Sequence, residues 1–218
     1  MQLHHENAIV TANNFNVMLV SQVWLINNGI VNVDEFNPPA CVFTPPLVHV
    51  TTDDFGLLLM EGRLQFTPTC NEEAKQPLLI DRLGRFITTL PHTPYSGLGL
   101  NFVWHWQPNE AHTIQSVGRR LFFHPDTPLA NEFNTDDATF GSYFSKNFAG
   151  FRLKLSIAPV DVVRHDAQAE ASGEEVMQFA FNYHLSSSNA NELSNALAQW
   201  DAVKAHSRQI VEAIEGWL

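Results

Sequence analysis

Arg152 and Lys154 lie two residues apart in an alternating run. His184 closes a second alternating run that also carries Gln178 and Asn182. Guanidinium offers paired donors to an oxyanion, and lysine and histidine add charge or a further donor, so these types at period two suit a carboxylate or a phosphate. A third run places Asn101 and His105 on the side opposite Leu100, Phe102 and Trp104. If the three runs are neighbouring strands, Arg152, Lys154, His184, Asn182, Gln178 and His105 share one polar face with Asn101. This face is the predicted ligand-binding site. The plain counter-reading is a solvated sheet face held by cross-strand pairs.

Other reactive side chains are more scattered. The chain holds 10 histidines, and His105, Glu110, His112, His124 and Asp126 fall close together. Imidazole and carboxylate are ligands for zinc or iron, but these spacings match no compact ligand pattern, so no metal and no cofactor is assigned. His4 and His5 are expected to fray at the terminus. Phosphate-loop, dinucleotide-binding, zincin and nucleophile-elbow motifs are not found, and no catalytic residue is assigned. Cys41 and Cys70 are read as two free thiols that a hairpin about residue 54 would bring near each other. Trp104, Trp106, Trp200 and Trp217 fall on apolar faces and are read as core. Arg119 and Arg120 are expected to complement the C-terminus of their own helix.

The elements that must position these groups follow from periodicity. Strands are predicted over 15–26, 47–51, 57–67, 97–107, 151–158 and 176–185, the first apolar at both parities and so covered on both faces. In 57–67, Leu58, Met60, Leu64 and Phe66 are expected on the buried side. Amphipathic helices are predicted over 77–90, with Pro77 in the first turn, and over 190–216, capped at Asn189. The latter would be about 40 Å long, so one end should overhang or reach a second subunit. A short helix after Asn109 spans 110–121. Residues 123–150 read as an aromatic loop lying on the body or on a partner, and 161–175 as a linker. The order strand, strand, strand, helix occurs twice.

The predicted fold class is therefore α+β: an antiparallel sheet of about six strands with two main amphipathic helices, built as a duplicated β-β-β-α unit. One domain is expected over 1–218, with similar halves 1–96 and 97–218.

Composition narrows the function. Among 218 residues, 23 acids against 12 bases give a net charge of −11, spread along the chain without an acidic tail. That disfavours direct nucleic-acid binding and anionic membranes. The start shows no secretory pattern, and no apolar run approaches the ~18 residues of a membrane span, so a cytoplasmic protein is expected. The leading expectation is a non-catalytic protein-interaction or assembly protein that self-associates as a dimer. The alternative is a small anionic ligand-binding or enzymatic domain using the polar sheet face. A second alternative is an acidic inhibitor of a nucleic-acid-binding protein.

Overall fold

The computed structural model describes residues 1–109, 112–163 and 173–218. Its framework is one antiparallel sheet of nine strands: β1 (Gln2–Ala12), β2 (Val42–Thr44), β3 (Leu47–Thr51), β4 (Phe55–Met60), β5 (Arg63–Pro68), β6 (Tyr95–Trp106), β7 (Ser142–Phe148), β8 (Phe151–Val163) and β9 (Gly173–Leu185). The spatial order is β2-β3-β4-β5-β1-β6-β9-β8-β7. The mixed α+β class and the antiparallel sheet agree with expectation; the count of about six strands does not.

Five differences account for the count: β2 and β7 form where no strand is expected, and three other segments change. The N-terminus does not fray. Gln2–Ala12 is a central strand that pairs with β5 and β6, sending Glu6, Ala8, Val10 and Ala12 inward and Asn7, Ile9 and Thr11 outward. The segment 15–26 is not a strand. It forms a 3-10 turn, Val17–Leu19, and helix α1 (Gln22–Asn27), whose first turn is capped by the Ser21 hydroxyl accepting from the Trp24 amide. An apolar run with both parities filled satisfies a helix as well as a strand; Phe15, Val17, Val20 and Leu25 reach the core, while Met18 and Val23 face out. The strand predicted over 57–67 is a hairpin turning at Glu61-Gly62. Leu57 and Leu59 are therefore buried beside Leu64 and Phe66, and Leu58 and Met60 take the other face.

The aromatic segment 123–150 contains helix α5 (Pro128–Phe133) and the edge strand β7. The linker predicted over 161–175 is shorter, because β8 runs to Val163 and β9 starts at Gly173; the stretch 164–172 lies outside the described residues.

The helices lie on one face. Helix α2 (Glu72–Leu78) continues through a widened π turn, Leu79–Leu83, into α3 (Gly84–Thr89). Pro77 sits inside α2 rather than in a first turn, and its missing N–H stands two residues before the widening. Helix α4 (Ile114–Phe122) is capped by a reciprocal Thr113–Ser116 box, not by Asn109. The last helix is α6 (Ala190–Ala196), a 3-10 turn and α7 (Trp200–Trp217). Its end does not overhang freely: Arg120 donates to the carbonyl oxygens of Trp217 and Leu218 at 2.9 and 2.8 Å and lies over the Trp217 ring. Arg120 thus complements the C-terminus of α7 rather than that of its own helix.

One hydrophobic cluster joins these helices to the sheet. Leu98, Leu100, Phe102 and Trp104 of β6, Phe151 to Ile157 at alternate positions of β8, and Met177, Phe179, Phe181 and Tyr183 of β9 all enter it, with Trp200 of α7 packed 4.8 Å from Phe102. Burial of such side chains contributes about 1.5–3 kcal/mol each. Among the described residues no helix is long and apolar enough to cross a membrane.

Candidate functional site

With the helices all on one side, the other face of the sheet is free of helix cover. Registers place its side chains in rows. One row crosses all nine strands: Asn147, Arg152, His184, Gly99, Ile9, Gln65, Leu58, His49 and Val42. The next carries Ser145, Lys154, Asn182, Asn101 and Asn7, and the following one Tyr143, Ser156, Ala180, Val103 and His5. A further row holds Ala158, Gln178, His105 and Gln2.

The structure thus brings the sequence-predicted residues onto one face. Arg152 pairs in register with His184, and Lys154 with Asn182. His105 lies opposite Gln178, its Nε2 3.4 Å from the amide oxygen. His105 and Gln178 nevertheless stand three rows from Arg152, so they form the far end of the face rather than part of one compact cluster.

At its centre the face carries a hydrogen-bonded amide ladder. Asn182 Nδ2 donates to Asn101 Oδ1 at 2.7 Å, Asn101 Nδ2 to Asn7 Oδ1 at 2.8 Å, and Asn7 Nδ2 to His5 Nε2 at 2.7 Å. The last bond requires a neutral acceptor nitrogen. Burial and the neighbouring His4 hold the His5 pKa below its ordinary value, which favours that form. The ladder depends on glycine: a Cβ on Gly99 would lie 2.8 Å from Asn182 Nδ2, and one on Gly97 only 2.9 Å from His184 Cε1. Two small positions on β6 let the β9 side chains lean across it.

His105 and His184, like His5, are shifted toward the neutral form. Burial, then Lys154, lowers the His184 pKa. Burial likewise lowers that of His105, against the hydrogen bond to Gln178, and His4 stacks on its ring at 4.1 Å. The charged groups in these rows and in the adjoining Gly97–Thr11–Arg63–Met60 row are Arg152, Lys154 and Arg63. None of these rows holds Asp or Glu; Glu174, opposite Val162, lies two rows beyond Gln178 on the same face.

Carboxylates cluster on the opposite side. Glu6, next to Asn7 but pointing inward, meets Lys75 at 2.5 Å and Lys204 at 2.7 Å, and Glu72 binds both lysines. Lys204 and Glu6 are buried. For Glu72, burial alone would raise the pKa, but hydrogen bonds from Lys204 and Lys75 outweigh it and hold the carboxyl low. Burial lowers Lys75 in the same way, and its bonds to Glu6 and Glu72 raise it further than burial depresses it. This fully paired ring ties β1 to α2 and α7; it is structural.

Sequence reasoning missed Asn7, His5, Thr11, Arg63 and Gln65. The signal for the first three was the inward set Ala8, Val10, Ala12 in an N-terminal segment that otherwise looks polar.

Cys41 and Cys70 are both free thiols, and burial, then Asp54, pushes Cys70 up. Among the described residues no group of three or more His, Cys, Asp or Glu could hold a metal ion. Of the weighed set, Glu110 lies outside the described residues. A chain with this architecture was compared with protein-family models, with curated proteins and with solved structures, and nothing matched.

Proposed function

We propose that this chain is a non-catalytic interaction protein whose working surface is the helix-free face of its sheet, and that the partner segment it takes is extended and acidic. One observation carries the reading: in a chain with 23 acids and 12 bases, the central rows of this face bear Arg63, Arg152 and Lys154 and no carboxylate, Glu174 lying beyond them opposite Val162. The amide ladder and the histidines add donors and acceptors that a peptide backbone or side chain can use. Complementary charge steers the encounter and sets register, while the neutral groups supply close contact.

A narrower reading of the same face is a small-anion site at Arg152, Lys154 and His184, favoured by their adjacency in two neighbouring rows. Calorimetric titration separates the two. The test probes are a glutamate-rich peptide of about twelve residues, long enough to cross several strands ~4.8 Å apart, and inorganic phosphate. The interaction reading expects peptide binding that weakens with salt and with Arg152→Glu/Lys154→Glu. Phosphate binding without peptide binding favours the small-anion reading. Binding of neither rejects both.

We also infer that the halves 1–96 and 97–218 are copies of one unit within a single domain. The support is positional: β3-β4-β5-β1 on one side of the β1–β6 seam mirrors β7-β8-β9-β6 on the other, and each half ends in helices on the same face. On this reading the first strand of the first copy is β1, not 15–26. A polypeptide of residues 97–218 carrying Ser145→Arg, which blocks its β7 edge, should then pair with itself through β6, giving a dimer in sedimentation; an unfolded monomer would oppose it.

A further inference from the structure

The sheet ends in two unlike edges. At one end β2 is three residues long and lies between Pro38-Pro39 and Pro45-Pro46. Short strands and flanking prolines keep an edge from pairing. At the other end β7 runs for seven residues without proline. It presents Tyr143 and Phe144, 62% and 49% exposed, and its one charge is Lys146. Along its helix side runs an apolar groove of about 280 Å³, lined by Phe144, Lys146, Leu153, Leu155 and Ile210.

We infer that β7 is where a second copy of this chain pairs, antiparallel, about a two-fold axis through Ser145. Such an axis, normal to the sheet, keeps both helix layers on the same side. Directly opposed residues must then have the same parity, because side chains alternate between faces. Three axes near the middle of the strand meet this condition. One through Lys146 sets two lysines against each other, which is unfavourable. One through Phe144 pairs only 142–146. The axis through Ser145 pairs the whole strand: Ser142 with Phe148, Tyr143 with Asn147, and Phe144 with Lys146. No like charges meet. Each lysine stem covers the opposite phenylalanine, and the two apolar grooves become continuous across the axis. The occupant is thus a second copy of β7, whose pattern complements itself along the full length of the strand.

The test is light scattering with sedimentation on the full chain at about 100 µM, well above a micromolar dissociation constant. The wild type is expected to be a dimer. Phe144→Lys sets like charges opposite each other twice and should weaken association about tenfold or more. Ser145→Arg, which puts like charges on the axis, should do the same independently. Adding Lys146→Glu to Phe144→Lys makes each cross-strand pair opposite in sign and should restore the dimer. Val42→Lys, on the β2 edge, should leave it intact. A monomeric wild type, a failed rescue, or dissociation by Val42→Lys each overturns the proposal.

Discussion

Glu6 and Asn7 are neighbours on β1, yet they face different worlds. Glu6 turns inward into a ring with Lys75, Glu72 and Lys204, where every charge has a partner. Asn7 turns outward into a ladder of neutral amides shared with Asn101 and Asn182. On the helix side, charge fastens elements together. On the open side, uncharged donors and acceptors line up between a few cations, and an acid, Glu174, enters only at the far end. The difference teaches that the sheet separates a stabilising face from a recognising one, so a substitution should change stability or binding according to the side it touches.

The largest effect should come from the helix side. Lys204→Met leaves Glu6 with one lysine in place of two. Breaking a buried ion pair costs about 3–5 kcal/mol, and the remaining Lys75 should hold the loss near the lower figure. Urea denaturation measures it. The comparison breaks if this variant also weakens binding of the acidic peptide. The mirror experiment, Arg152→Glu/Lys154→Glu, should lower peptide affinity about tenfold while leaving the urea midpoint nearly unchanged, because both side chains are exposed.

A smaller effect tests the ladder itself. Asn101→Ala removes a donor and an acceptor between Asn7 and Asn182. Loss of two part-buried bonds should cost about 1–2 kcal/mol. Gly99→Ala should act in the same direction by displacing Asn182. If neither moves stability or peptide binding, the ladder is ornament rather than framework.

The smallest effect is a pH dependence. His5, His105 and His184, and His206 beside Tyr183 on the helix side, all have folded pKa values below the ordinary 6.5, chiefly through burial. The unfolded chain therefore takes up protons first. Stability from these groups is present above pH 6.5 and declines as pH falls through the lowered folded values. Glu72, also depressed, keeps its contribution until pH drops below its unfolded value of 4.5, so a loss between pH 7.5 and 5.5 reports the histidines. Denaturation at the two pH values should show a modest loss; a gain would contradict the assignment.

Much of this face was legible in the residues. The alternation of β6, β8 and β9 is clean, since each sets bulky apolar side chains against small or polar groups, and it placed Arg152, Lys154, Asn182 and His184 together. β1 was not legible. Its inward positions are an acid and three small residues, so its hydrophobic signal is faint, and only the Lys75 and Lys204 ammonium groups explain a glutamate there. Residues 15–26 misled in the opposite way: apolar at both parities, they have no period to read, and the Ser21 cap decides for helix. The ladder needs the register of three strands far apart in sequence, which no local pattern contains. The β7 edge was seen only as aromatic content, because its role depends on being last in the spatial order.

The most direct test of the open face uses two reporters on β6. The Asn101 side-chain amide lies on the helix-free side, and the Trp104 indole N–H, bonded to Ser207 Oγ at 3.1 Å, lies on the helix side. Titration with the glutamate-rich peptide, followed by NMR, should shift the side-chain amide signals of Asn101 and Asn182 and the Arg152 guanidinium while the Trp104 indole stays in place. A peptide that moves the indole and leaves the asparagine amides unchanged would contradict the account.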